Sequence, residues 1–228
     1  MTAKRLLIAL ILLVGLGIAL PRVFSDRSAS GTADPVRVTR NAEGKAAIDI
    51  SGMPVQGADE ARVAVIEFSD YECPYCARYA TGVFPEVKDR FISTGRVRYV
   101  FANFPLPNHP NAEPLAAAAI CAGQQDAYWK MHDQLFENRP ESTEGILDLG
   151  RQMGLRMPPF EQCLGDIGPV RDRIEIDQQI ARVFQVSGTP SFILGKIDAD
   201  GRVVAEGIIV GAQPFAAFDK AITDLLNK

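Results

Sequence analysis

The chain has 228 residues, the length of one domain, or of one domain with an insertion, at about 150 residues per domain. Hydrophobic residues make up 47% of the chain and charged residues 23%, which is enough to bury a core and excludes a chain disordered throughout. The formal net charge is −4, and so acidic a chain lacks the basic footprint of a nucleic-acid-binding protein.

Residues 1–25 predict export from the cytoplasm. Lys4 and Arg5 precede an unbroken run of 15 apolar residues, 6–20, which is typical of a secretory signal. As a helix this run would cover roughly 22 Å, less than the hydrocarbon core of a bilayer, and this favours cleavage. No clear cleavage site follows, so a cleaved signal peptide and an N-terminal membrane anchor both stay open. Either one places the rest of the chain in the periplasm or on the outer face of the membrane, where disulfides persist.

The first elements predict a strand–helix–strand unit within residues 51–109. An apolar, β-branched run over 63–68 predicts a buried strand, and a second strand is expected over 96–104. Between them, the spacing of large apolar residues predicts a helix over 70–93 that opens near Cys73 and kinks at its internal proline. This order implies that the two strands pair in parallel.

The flanking segments complete an α/β fold of the order βαβ, helical insertion, ββα. Residues 26–50 are interpreted as a spacer and N-terminal extension, the first ten of them a flexible linker. Residues 110–186 carry helical patterns almost throughout and are interpreted as the insertion. The second half of the fold is assigned to 187–228, with a strand over 191–194, a hairpin turn at 200–201, a strand over 202–206 and a helix over 214–226.

Cys73-Pro74-Tyr75-Cys76 forms a C-x-x-C pair at the start of the predicted helix. Unpaired N–H groups and the helix dipole stabilise a thiolate there, and Cys73, as the outermost sulfur, would feel this most. Cys73 is then the sulfur that exchanges with a substrate disulfide or thiol, and Cys76 the one that resolves the mixed disulfide. A half zinc site and an inert disulfide are the alternatives, but the other cysteines and histidines form no second close pair, so we expect no metal.

Glu67 lies within the apolar strand that precedes the cysteine pair. A carboxylate in such a strand is costly unless it has a partner or a role. We interpret Glu67 as a proton relay to Cys76, and an outward-pointing solvent residue is the alternative.

Cys121 and Cys163 lie in different predicted helices of the insertion, with 41 residues between them. A bond between them would stabilise the fold by roughly 4 kcal/mol through loop closure. We predict a structural disulfide, with two buried free thiols as the alternative. His109, in a proline-flanked loop, and His132, in a helix, are interpreted as packing or surface residues.

The residues around the cysteines, 68–76, together with the later segment 188–192 (Gly-Thr-Pro-Ser-Phe), resemble the DsbA-like thiol:disulfide oxidoreductases of the thioredoxin superfamily. The resemblance covers roughly residues 50–228. It implies a thioredoxin-like fold with an inserted helical domain, in which Pro190 is a cis-proline facing the cysteine pair. Thr189 would then present its backbone to a substrate peptide, and Pro74 and Tyr75 would border the same site.

The same resemblance implies what the protein acts with. No organic cofactor or metal is needed, because the disulfide is itself the redox group. The substrates would be exported proteins with free thiols, and a quinone-linked membrane oxidase would restore the disulfide. The segment before the first strand is too short for the dimerisation domain of the isomerase relatives, which favours a monomer.

One departure from the family bears on the direction of the reaction. The dipeptide Pro74-Tyr75 lacks the histidine of the strongly oxidising prototype, so Cys73 has less positive charge nearby, and we expect a less acidic thiol and a less oxidising protein than that prototype. We expect an exported thiol:disulfide oxidoreductase that acts chiefly as an oxidase. A reductase or isomerase is the alternative among enzymes, and a chaperone-like binding module is the alternative from another class.

Overall fold

The computed structural model describes residues 37–228, so the predicted signal or anchor and the first part of the spacer lie outside the described residues. Seven strands are present: β1 (Val38–Arg40), β2 (Ala46–Ile48), β3 (Val55–Gln56), β4 (Val63–Ser69), β5 (Val97–Asn103), β6 (Ser191–Ile197) and β7 (Val203–Val210). They form one sheet in the order β1-β2-β7-β6-β4-β5-β3. β4 and β5 pair in parallel, as predicted, and the other neighbours are antiparallel.

The helices lie between β4 and β5, between β5 and β6, and after β7. The first, residues 74–92, is here called the cysteine helix and has four consecutive segments: α1 (Pro74–Arg78), π1 (Tyr79–Val83), α2 (Phe84–Val87) and π2 (Lys88–Ile92). The insertion contains α3 (Ala112–Gly123), α4 (Tyr128–Asn138), α5 (Thr143–Met153), α6 (Met157–Gly165) and α7 (Ile167–Val183). The last helix is α8 (Phe215–Leu226). None of the helices within residues 37–228 has both the length and the apolarity that a bilayer crossing requires.

Every residue of β4 is buried, because helices cover both faces of the sheet. Successive side chains of a strand point to opposite faces. Val63 and Val65 pack with side chains of the cysteine helix and α8, whereas Ala64 and Ile66 pack with side chains of α7. Glu67 therefore lies on the face of the sheet that the cysteine helix covers.

The insertion shares its core with the start of the cysteine helix. Cys76, Ala77, Tyr71 and Phe101 belong to the same apolar cluster as the large side chains of α3 to α7. Each large side chain removed from water in this way stabilises the fold by roughly 1.5–3 kcal/mol. The first turn of the cysteine helix is thus held between the sheet and the insertion.

The cysteine helix starts later than the predicted residue 70 and winds differently around its proline. It begins at Pro74 with Cys73 as its N-cap, because the residues from Asp70 onward form a turn. Pro85 has no N–H to donate, and α2, which contains it, is flanked by π1 and π2. The kink at this proline stays a prediction, and the structure shows a change in helical winding on either side of α2.

The last two strands are longer than predicted, and three short ones were not predicted. β6 continues past its bulge at Gly195, where an added Cβ would lie 2.2 Å from a backbone oxygen of β7. That close approach requires glycine, a residue which in a sequence suggests the end of a strand. β1 and β2 occupy part of the segment interpreted as an extension, and like β3 they have only two or three residues, too few for a visible period.

Candidate active site

Cys73 caps the N-terminus of the cysteine helix with extended backbone angles, φ −69° and ψ 123°. Its carbonyl oxygen accepts the first helical hydrogen bond from the Ala77 N–H at 3.1 Å. Pro74 takes the first helical position, where the missing N–H costs nothing. The sulfur of Cys73 is thereby placed beside the free N–H groups of the first turn.

The pKa values of the two active-site thiols are shifted in opposite directions from the ordinary value of a cysteine. The hydrogen bond from the Cys76 thiol lowers the pKa of Cys73 to about 5, helped by a contact with Thr189 and by the backbone N–H groups of Cys76 and Tyr75, against the opposing effect of burial. Burial raises the pKa of Cys76 well above its ordinary value, and the hydrogen bond to Cys73 and the charge of Glu67 act in the same direction. At neutral pH Cys73 is a thiolate and Cys76 keeps its proton.

Both cysteines are more enclosed than the sequence predicted. Cys73 was expected to be the outermost sulfur, and it is the more accessible of the two, yet only 3% of the residue is exposed, against 0% for Cys76. The neighbouring Pro74 and Tyr75 are exposed, Tyr75 to 56%. A bulky group can therefore approach Cys73 only over a narrow area.

The segment before β6 lies against Cys73. The Thr189–Pro190 peptide bond is cis, and the Thr189 carbonyl oxygen lies 3.6 Å from Cys73 Sγ. Two hydrogen bonds hold this segment in place: the Gly211 N–H donates to the Pro190 oxygen at 2.8 Å, and the Ser191 hydroxyl donates to the Gly188 oxygen at 2.7 Å. The fold thus brings together two predicted site segments that lie 116 residues apart.

Glu67 is buried, with 2% of the residue exposed, so the alternative of an outward-pointing side chain is wrong. The Tyr99 hydroxyl donates a hydrogen bond to Glu67 Oε2 and lies 3.1 Å from the Tyr79 hydroxyl. Glu67 Oε1 is buried and has no hydrogen-bond partner. Burial raises the pKa of Glu67 to about 7, although the hydrogen bond from Tyr99 acts in the opposite direction.

Sequence reasoning missed the polar groups that join the active-site turn to the loop before α3. The Asp70 carboxylate accepts hydrogen bonds from that loop and pairs with His109, and the Glu72 carboxylate accepts one from the Asn111 N–H at 2.6 Å. His109 was interpreted as a packing or surface residue, and its Nδ1 instead lies 2.7 Å from the Asp70 carboxylate. The sequence feature that could have indicated these contacts was the presence of two acidic residues, Asp70 and Glu72, shortly before Cys73.

The other two cysteines and His132 lie in the insertion. Cys121 of α3 and Cys163 of α6 form a disulfide with a Cα–Cα distance of 5.7 Å. His132 is buried among aromatic rings, and burial lowers its pKa to about 3, so it is a neutral core residue. Within residues 37–228, no group of three or more histidine, cysteine or acidic side chains is arranged to hold a metal ion.

Comparisons with known proteins agree with this architecture. The family model described as Thioredoxin matches residues 50–221. The chain is 36% identical over 142 residues to the Na(+)/H(+) antiporter NhaA 3 of Salinispora tropica, a match that takes in 61% of this chain and only 21% of the antiporter. It is 31% identical over 151 residues to disulfide bond formation protein D of Bacillus subtilis, a match covering 62% of this chain and 67% of that protein.

A solved structure shows the same fold. The oxidised form of BdbD from Bacillus subtilis superposes with a TM-score of 0.66 at 24% identity, over 78% of this chain and 95% of that one. The family match covers most of the chain. In this chain the C-x-x-C pair lies at the start of the cysteine helix, the cis-proline directly precedes β6, and the helical insertion lies between β5 and β6. The chain therefore belongs to the thioredoxin family, and its similarity extends over two thirds of disulfide bond formation protein D.

Proposed function

We propose that this protein is an extracytoplasmic dithiol oxidase that passes its Cys73–Cys76 disulfide to thiols of exported proteins. The feature that carries the proposal is the placement of the two thiols: Cys73 caps the N-terminus of the cysteine helix beside its free N–H groups, whereas Cys76 is fully buried. A stabilised Cys73 thiolate stabilises the reduced protein, and a pair whose reduced form is stable is a strong oxidant. The same thiolate is a good leaving group from a mixed disulfide.

The reaction moves two electrons from the substrate to the protein. A substrate thiolate attacks Cys73 Sγ of the oxidised protein, the Cys73–Cys76 bond breaks, and a mixed disulfide with Cys73 forms. Cys76 leaves as a thiolate and takes up a proton. A second substrate thiolate then attacks the substrate sulfur of the mixed disulfide and releases Cys73 as a thiolate. The substrate is left with a disulfide and the protein with a dithiol.

Glu67 is the group we assign to the proton transfer at Cys76. Its charge is among the causes that raise the pKa of Cys76, so the two groups interact, and its unpartnered Oε1 is free to accept a proton. With a pKa of about 7 it exchanges a proton readily near neutral pH. In the oxidising direction Glu67 supplies the proton that the departing Cys76 thiolate needs.

Thr189 and Pro190 are the residues we assign to substrate docking, together with Pro74 and Tyr75. The Thr189 carbonyl lies beside the reacting sulfur, so backbone atoms of this segment are placed to pair with an extended peptide whose cysteine enters the site. The exposed Tyr75 ring borders the same entrance.

The proposal also includes the cellular location of the protein, the partner that re-oxidises it and its oligomeric state. The apolar run near the N-terminus supports export, to the periplasm or the outer face of the membrane. The resemblance to DsbA-like proteins supports re-oxidation by a quinone-linked membrane oxidase, with this chain acting as a monomer.

Equilibration of the Cys73–Cys76 pair with glutathione tests the oxidase assignment. We expect reduced glutathione to reduce the disulfide readily, and the ultraviolet absorbance of the thiolate to titrate with a pKa far below 9.0. A disulfide that resists glutathione, with an ordinary thiol pKa, would overturn the proposal in favour of a reductase. If the protein is an isomerase, it should rearrange the incorrect disulfides of a scrambled protein faster than it forms disulfides in a reduced protein.

A Cys73→Ser variant separates the enzyme from a chaperone-like module. We expect the variant to lose oxidation of a dithiol peptide completely. The chaperone-like alternative gains support only if a variant without oxidase activity still suppresses the aggregation of an unfolded client as well as the parent chain does.

A further inference from the structure

Asp70 is a buried carboxylate in the turn that leads to Cys73. Its side chain has no exposed surface and accepts hydrogen bonds from the Glu72 N–H and the Leu106 N–H, each at 2.8 Å. His109 Nδ1 lies 2.7 Å from the same carboxylate. A charge buried to this extent is costly unless a partner compensates it.

Asp70 and the reacting cysteine belong to the same turn. The backbone N–H of Cys73 donates to the Asp70 carbonyl oxygen at 3.1 Å, so the carboxylate and the thiol belong to one turn. A bare carboxylate at this position would oppose ionisation of the Cys73 thiol. The pairing of Asp70 therefore bears on the acidity of Cys73.

His109 is the basic side chain that contacts the Asp70 carboxylate. Burial acts against protonation of its imidazole, but the hydrogen bond and charge of Asp70, and the charges of Cys73 and Glu72, outweigh burial and raise the pKa of His109. A Cys73 thiolate is therefore one of the charges that favour the protonated form of His109.

The other charged groups near His109 line a cavity of about 680 Å³ between its loop, α3 and α7. Arg171 in this cavity pairs with Glu113 at 2.8 Å, and Asp172 and Glu175 are acidic. Among the cations lining the cavity, His109 is therefore the one that meets Asp70.

We propose that His109 is a positioning residue for thiol–disulfide exchange: as an imidazolium paired with Asp70, it cancels the carboxylate charge beside Cys73 and favours the Cys73 thiolate. It supplies from a separate loop the positive charge that a histidine within the C-x-x-C dipeptide would supply. The inference deepens the exchange chemistry of this family and holds whether the pair works as an oxidase or as a reductase.

The first test compares His109→Gln with Arg171→Gln, which removes a positive charge from the same cavity but from a different carboxylate. We expect His109→Gln to raise the Cys73 pKa and to shift the glutathione equilibrium toward the disulfide, each unit of pKa being worth about a tenfold change in that constant. Arg171→Gln should leave both unchanged. Equal values in the parent chain and His109→Gln would overturn the proposal.

A double variant distinguishes an electrostatic effect of His109 on the Cys73 pKa from a structural one. Asp70→Asn with His109→Gln removes both charges, so the Cys73 pKa should return toward the parent value. If the double variant instead keeps the raised pKa of His109→Gln, the histidine acts through loop structure and the electrostatic proposal is wrong.

The second test needs no substitution. The Cys73 thiolate and the His109 imidazolium must stabilise each other equally, because linkage is reciprocal. We expect the NMR titration of the His109 imidazole to give a higher pKa in the dithiol form than in the disulfide form. Identical titrations in the two forms would overturn the proposal, while a potential that proved reducing would overturn only the oxidase assignment.

Discussion

Glu67 is governed by two opposing effects of its surroundings. Burial in the layer between the sheet and the cysteine helix disfavours its charged form, whereas the hydroxyl of Tyr99 stabilises that form by a hydrogen bond. The result is a carboxyl group with a pKa of about 7, which is suited to exchanging a proton at the pH of most extracytoplasmic fluids. Two predictions follow from this balance at the scale of single residues.

Replacement of Tyr99 by phenylalanine should raise the pKa of Glu67 above about 7, because the larger of the two hydrogen-bond effects that oppose burial, from Tyr99 and Ser69, is lost. The pH dependence of mixed-disulfide turnover, measured with a dithiol peptide over a range of pH, should then move to higher pH. Tyr128→Phe is the matched control, since its buried hydroxyl lies 3.4 Å from that of Tyr71 and makes no contact with Glu67. A profile that Tyr99→Phe leaves in place would show that the hydrogen bond does not tune the carboxyl group.

Glu67 also makes folding stability depend on pH. Its pKa is raised from 4.5 to about 7 on folding, so the folded protein binds the proton more tightly and stability falls as pH rises through that window. The loss amounts to at most about 3 kcal/mol. Glu67→Gln should therefore gain stability relative to the parent chain between pH 4.5 and 7, as measured by denaturant unfolding at both ends. A difference between the two proteins that stays constant across the window would contradict this.

At the scale of elements, the predictable parts are those whose residues carry a signal along the chain. β4 has seven consecutive buried positions, and Tyr79, Val87 and Phe91 recur on the buried side of the cysteine helix, so both elements follow from local pattern. The same spacing predicted that Tyr75 belongs to this buried side, and that was wrong, because the residue is 56% exposed. β3 has two residues and no period of its own, and it is defined by pairing with β5. The Asp70–His109 pair joins positions 39 apart through a loop whose path no local pattern fixes.

The insertion depends on a covalent link between two of its helices. The disulfide of Cys121 and Cys163 joins α3 to α6 and closes 42 positions of the chain. The double variant Cys121→Ala/Cys163→Ala should lose roughly 4 kcal/mol of stability in the loop-closure model. Denaturant unfolding of the double variant against the parent chain measures this. Peptide oxidation under folding conditions should persist, and its disappearance in a folded variant would place the second pair in the redox chemistry.

At the scale of the whole molecule, the two ends of the sheet have different roles. Strand register places Val38 of β1, Val203 of β7 and Val63 of β4 toward one end. The other end carries Ser69, which leads to the cysteine turn, and Ser191, which follows the cis-proline. Residue 37, the first described, therefore adjoins the end of the sheet remote from the reacting sulfur.

This polarity has a practical consequence for handling the protein on a solid support. A bead or sensor chip coupled directly ahead of β1 is attached at the end of the sheet remote from Cys73. The end that carries the cysteine turn then stays accessible to dissolved substrate. Protein captured in this way should oxidise a dissolved dithiol peptide as fast per molecule as free protein does. Capture through a cysteine placed at Val210, next to the cis-proline segment, should instead obstruct the peptide. Equal turnover in both orientations would mean that clients do not approach over that edge.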